Sequence, residues 1–188
     1  MADQGPAPSL LIAMPQLQDP NFNRAVVLLC EYDEDGAFGV IVNRPLKANA
    51  SEVVMLEPPL DPDAPLSVWE GGPVDQRRPW LLRRDTPPAE GVMRLADDLY
   101  LQPPSEEELR RLTDGDRREC EPDRARLLIG YAGWAPGQLD GELSASAWLL
   151  APLDVDLILG VPPEDLWEEA IRGIGVDPGA ISPAPGVH

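Results

Sequence analysis

The chain has 188 residues, 33 of them acidic and 15 basic, for a net charge of −18, and 23 are proline. That length suits one sizeable core, and proline at about twice average usage favours many short elements over long helices. The negative field disfavours general nucleic-acid binding, and the two cysteines form neither a disulfide framework nor a zinc spacing.

Residues 1–9 read as a disordered lead-in without a basic start, so no secretory leader is expected. Leu10–Ala13 reads as a short strand ended by Met14-Pro15, and Asp19-Pro20-Asn21-Phe22-Asn23 is dense in turn formers. Ala25–Glu31 is a continuous apolar run of strand length, which suggests a strand covered on both faces. Asp33-Glu34-Asp35-Gly36 is a turn in which Gly36 supplies the backbone freedom of a tight hairpin, so Phe38–Val42 should pair antiparallel with the first run. Asn43-Arg44-Pro45 ends that second strand.

Further on, Ser51–Leu56 reads as a short helix capped by Ser51. Leu66–Trp69, Trp80–Arg83 and Val92–Leu95 read as strands, the first closed by Gly71-Gly72-Pro73. Ser105 with Glu108 makes a capping box for a solvent-facing helix carrying Glu106→Arg110 and Glu107→Arg111 pairs. Arg126–Tyr131 is another strand, Gln138–Leu143 a short helix, and Ala147–Leu150 a strand. Pro163–Ile174 is the clearest amphipathic helix, with Leu166, Trp167, Ala170, Ile171 and Ile174 on one face and Gly175 at its stop. Residues 177–188 read as an irregular tail. Strands outnumber helices and are mostly hairpin-linked, which predicts an α+β fold in one domain over residues 10–176.

The segment LIAMPQLQDPNFNR (11–24), the hairpin ending in Gly39-Val-Ile-Val-Asn-Arg-Pro45, Gly71-Gly72-Pro73 and GYAGWAPGQL (130–139) resemble, in order, the motifs of the bacterial AlgH/YqgE family. The resemblance runs from about Leu10 to Val176. It implies an antiparallel-rich, bifurcated sheet curled into a pseudo-barrel, with helices packed outside. Members are often labelled transcriptional regulators through an association with alginate production in pseudomonads, so the resemblance implies a fold and a regulatory association rather than a reaction.

Within those motifs, Asp19, Asn21, Arg24, Asn43 and Arg44 are the polar residues that can converge at strand ends. An arginine beside amide side chains can grip a carboxylate or phosphate; equally, Asp19-Pro20-Asn21 is a turn signature and Arg24 can pair with Asp19. Gly71 and Gly72 can present backbone N–H groups to an anion, or simply form a tight turn. Tyr131, Trp134, Gln138 and Glu142 surround a glycine-rich bend in which Trp134 forms a pocket wall with Gln138 as anchor, or packs in the core. Cys30 lies in an apolar run beside Glu31, which disfavours a thiolate and leaves only a redox role open, while Cys120 between Glu119 and Glu121 should be exposed. The pairs Arg77-Arg78, Arg83-Arg84, Arg110-Arg111 and Arg117-Arg118 should pair with neighbouring acids on solvated surfaces.

The only histidine is His188, so histidine-based triads and metal sites are not expected, and no phosphate loop, GxSxG or dinucleotide fingerprint is present. The expectation is a non-enzymatic, cytoplasmic factor without cofactor or metal that binds a small ligand or a basic protein partner. The alternatives are an enzyme working through a carboxylate and arginine cleft, and a regulator that binds DNA directly.

Overall fold

A computed structural model describes residues 5–17, 19–84 and 92–181. Part of the lead-in (1–4) and of the tail (182–188, including His188) therefore lies outside the described residues. The chain divides into two compact units: Met1–Asn43 with Ala132–His188, and Arg44–Tyr131.

The first unit is built on the central hairpin. β1 (Ser9–Ala13) is wholly buried, and β2 (Val26–Asp33) is buried from Val26 to Cys30 on both faces. β3 (Gly36–Ile41) returns antiparallel from the Asp33–Gly36 turn, as the apolar pattern predicts. Gly36 has φ +136°, and a Cβ there would lie 2.3 Å from the Trp134 carbonyl oxygen, so only glycine fits. The strand order is β10 (Trp148–Ala151), β1, β2, β3 and then the last residues of β9 (Ala125–Trp134), with Ala37 opposite Trp134. Leu11, Val27, Leu29, Ile41, Trp134 and Trp148 form one core cluster. α5 (Pro163–Gly173) buries Leu166, Trp167, Ala170 and Ile171 as its periodicity requires. α3 (Gln138–Ser144) follows β9.

The second unit carries β4 (Pro45–Asn49), β5 (Ser67–Glu70), β6 (Val74–Arg84), β7 (Met93–Ala96) and β8 (Leu99–Gln102). β5 runs parallel to β9 at Leu127–Ile129, the exception in an otherwise antiparallel set, and β6 pairs with β9 and β8. Since β9 pairs with β5 at one end and β3 at the other, the sheet is bifurcated. The order runs open-ended from β10 to β7, so it does not close into a barrel among the described residues. α2 (Glu106–Asp114) is capped by the Ser105 side chain, which accepts from the Glu108 N–H, and Arg110 pairs with Glu106.

Several local details differ from the sequence reading. Ser9, placed in the lead-in, opens β1. The cap of α1 (Ala50–Val53) is Asn49 rather than Ser51, because Asn49 accepts from Glu52 N–H while Glu52 reaches back to the Asn49 N–H. β8 and α4 (Val155–Gly160, capped by Asp154) are additional, and α6 (Pro178–Ile181) puts one helical turn into the expected irregular tail. Cys120 is fully buried, its thiol donating 3.1 Å to the Leu112 carbonyl. Packing beneath α2 therefore overrides the acidic flanks that suggested exposure.

Candidate functional site

Two of the polar motif residues of the first unit, Asp19 and Asn43, have defined backbone tasks. Asp19 caps a short helical turn, Pro20–Phe22, by accepting from the Asn21 N–H at 2.9 Å. Asn21 is exposed. Asn43 accepts from the buried Val26 N–H at 2.9 Å and donates to the Arg24 carbonyl at 3.0 Å. Those two bonds hold Arg24 at φ 54°, a conformation unusual outside glycine. The Arg24 guanidinium stacks over Trp167 at 4.2 Å and pairs with Glu168 at 3.1 Å, rather than with Asp19.

Trp134 and Gln138 meet on one carboxylate. Glu142 accepts from Trp134 Nε1 at 2.9 Å, Trp148 Nε1 at 2.8 Å and Gln138 Nε2 at 3.1 Å. Phe22 stacks on Trp134 and meets Trp148 edge-on, so the first motif joins the bend through aromatic rings. Phe22 thus brings the first motif against the bend within a packed aromatic core.

In the second unit, Arg44 lies 3.9 Å from Glu70, and its carbonyl accepts from the Glu70 N–H. Gly71 is buried with its N–H donated to Ile129, and a Cβ there would sit 2.3 Å from the Gly130 oxygen. Gly71 and Gly72 thus serve close backbone approach, and the Gly71 N–H is not offered to an anion. Tyr131 packs edge-on against Trp80. The cysteines remain poor nucleophiles: burial, then Glu31, pushes the Cys30 thiol far up, and burial, then Glu119, raises Cys120.

A hollow of about 230 Å³ in the first unit is lined by Glu31, Asp33, Asp35, Gly36, Ala37, Phe38 and Trp134. Asp33, Glu31 and Asp35 are exposed, and the lining includes no basic side chain. Sequence reasoning took these acids only as a turn. Their number in one hairpin was visible, but the arrival of Trp134 beside them comes from the distant β3–β9 pairing. A second hollow, of about 390 Å³ in the other unit, is lined by Asp116, Arg118, Glu119, Glu121, Asp123 and Arg124. There Arg118 is bound to Asp116, so that hollow neutralises part of its own charge. No group of histidine, cysteine or carboxylate side chains suited to a metal occurs among the described residues, and no described helix is long and apolar enough to cross a membrane.

Comparison with known proteins places this geometry. An AlgH-like family model matches residues 10–179, spanning both units. The chain is 40% identical to a UPF0301 protein of Anaeromyxobacter dehalogenans over 188 aligned positions, covering 94% of this chain and 92% of that one. It is 33% identical to a UPF0301 protein of Vibrio cholerae, covering 92% and 93%. The solution structure of the AlgH protein from Pseudomonas aeruginosa superposes with a TM-score of 0.77 at 32% identity, covering 100% of this chain and 98% of that one. A crystal structure of a Corynebacterium diphtheriae protein, 24% identical with a TM-score of 0.65 and 95% and 87% coverage, shares the fold. The chain belongs to the AlgH-like family.

Proposed function

We propose that this protein is a non-enzymatic cytoplasmic binding factor whose acidic hollow receives a basic segment of a partner protein. The observation that carries this reading is the composition of the hollow: the carboxylates of Glu31, Asp33 and Asp35 with Phe38 and Trp134, and no basic residue. A guanidinium or ammonium inserted there gains charge-assisted hydrogen bonds from the carboxylates and can lie against an aromatic face. The volume of about 230 Å³ falls below the ~300 Å³ at which pockets for drug-sized ligands usually begin, which suits a long side chain better than a metabolite. The net charge of −18 steers a basic partner inward.

Direct DNA binding finds less support, because at least one arginine in three of the four adjacent pairs is drawn into an ion pair with a neighbouring acid. Arg83 pairs with Glu108 and Glu119, Arg84 with Asp98, Arg110 with Glu106 and Arg118 with Asp116. Calorimetric titration with an arginine-rich peptide tests the proposal. Asp33→Asn with Asp35→Asn should weaken binding by about tenfold or more, as the loss of two charged contacts requires. The Asn at 33 keeps the oxygen that accepts from the Asp35 N–H, so the turn survives. Unchanged affinity in that variant, or no binding by the native chain, rejects the reading.

A further inference from the structure

The ladder between β6 and β9 is interrupted over Asp75-Gln76-Arg77-Arg78. Val74 pairs with Tyr131 and Pro79 with Ile129, leaving Gly130 opposite the whole intervening segment. Gly130 has φ +78°, and a Cβ there would lie 2.3 Å from the Gly72 oxygen and 3.1 Å from the Val74 oxygen. Close backbone packing therefore anchors the base of the bulge, and Asp75 takes φ 44° within it. Bulges re-aim side chains and terminate pairing, which is what this segment does. Val74 through Arg78 are all exposed.

This bulge carries two adjacent, exposed arginines. Arg44, Arg83, Arg84, Arg94, Arg110 and Arg118 all have carboxylate partners. Arg77 and Arg78 have no ion pair among the described residues. Arg78 is nonetheless ordered, since its guanidinium lies 4.7 Å from the centre of the Trp80 ring, and Trp80 packs edge-on against Tyr131. Stacking uses the face of a guanidinium and leaves its N–H edge free to bind, at reduced entropic cost.

We propose that the Val74–Arg78 bulge is a docking surface for an acidic segment of a partner protein, whose carboxylates are bound by Arg77 and Arg78. Planar guanidinium forks match carboxylates, and the exposed Val74 beside Tyr131 adds apolar contact of the kind a protein segment can use. Exposure along the entire bulge offers no walls to enclose a small anion. A nucleic acid, with a charge every ~1.7 Å, meets far more of the −18 field than a short acidic stretch does. This surface is independent of the acidic hollow in charge and in location along the chain.

The test is fluorescence anisotropy of a labelled peptide of alternating aspartate and serine, titrated with the full chain at low salt. Arg77→Ala with Arg78→Ala should lower affinity by about tenfold or more, with the unfolding midpoint lowered only slightly through loss of the Arg78–Trp80 stack, since both side chains are exposed. Arg77→Glu alone, which leaves the Arg78–Trp80 stack in place, should lower it in the same direction. No binding by the native chain, equal binding by the variants, or tighter binding of a single-stranded oligonucleotide than of the peptide would each overturn the proposal.

Discussion

Asn43 shows how one side chain can decide a motif. Its amide oxygen satisfies the Val26 N–H, and its amide nitrogen satisfies the Arg24 carbonyl, closing the turn that leads into β2. Val26 is fully buried, so no water replaces the lost acceptor. Asn43→Ala should therefore cost about 1–3 kcal/mol, read as a lower midpoint in denaturant unfolding. Asp19 was legible as a turn former, the role it takes, whereas Asn43 was legible only as a polar residue at a strand end. A side chain that caps its own backbone and one that holds a ligand have the same local sequence. Only the positions of Asn21, Val26 and Arg24 around them separate the two. Cys120 failed for the complementary reason: its flanking glutamates are local, whereas its burial beneath α2 is tertiary.

At the scale of elements, Glu142 links β9, α3 and β10. It takes both indole N–H groups of Trp134 and Trp148, whose rings are 5% and 3% exposed, so few other acceptors can reach them. Glu142→Ala should destabilise the chain by about 2–4 kcal/mol, while Glu142→Gln, which keeps an acceptor oxygen, should cost markedly less. Equal losses in calorimetric melting would mean that packing, not the indole bonds, sets the cost. Tyr32, on β2, donates to Asp140 on α3, and that bond, followed by burial and the Asp140 charge, raises its pKa. The folded chain thus holds this proton more tightly than the unfolded one. The contribution is complete below the unfolded tyrosine value of about 10 and fades as pH rises through the folded value. Tyr32→Phe should flatten the alkaline loss of stability in melts run between neutral and strongly alkaline pH. The β2–β3 hairpin was legible because an apolar run, a glycine turn and a second apolar run agree. β8 was not, since Leu99–Gln102 is short and only its Leu99 and Leu101 face inward.

Across the whole molecule, two charged features stand out, each in its own unit: carboxylates line the hollow of the hairpin, and Arg77 and Arg78 lie exposed on the β6 bulge. Neither was legible from composition, which reports only the net −18. The hollow requires the β3–β9 pairing to bring Trp134 beside Asp33–Gly36, and the bulge requires Gly130 in its left-handed conformation. The family motifs, in contrast, were legible early because they fix turns and close approaches that any member of the fold must make. Amide chemical-shift mapping with an arginine-rich peptide tests whether the hairpin hollow takes basic side chains. Saturable shifts confined to Glu31–Phe38 and the Trp134 indole are the predicted result. Shifts centred on Asp116–Arg124, or none at peptide excess, would contradict it.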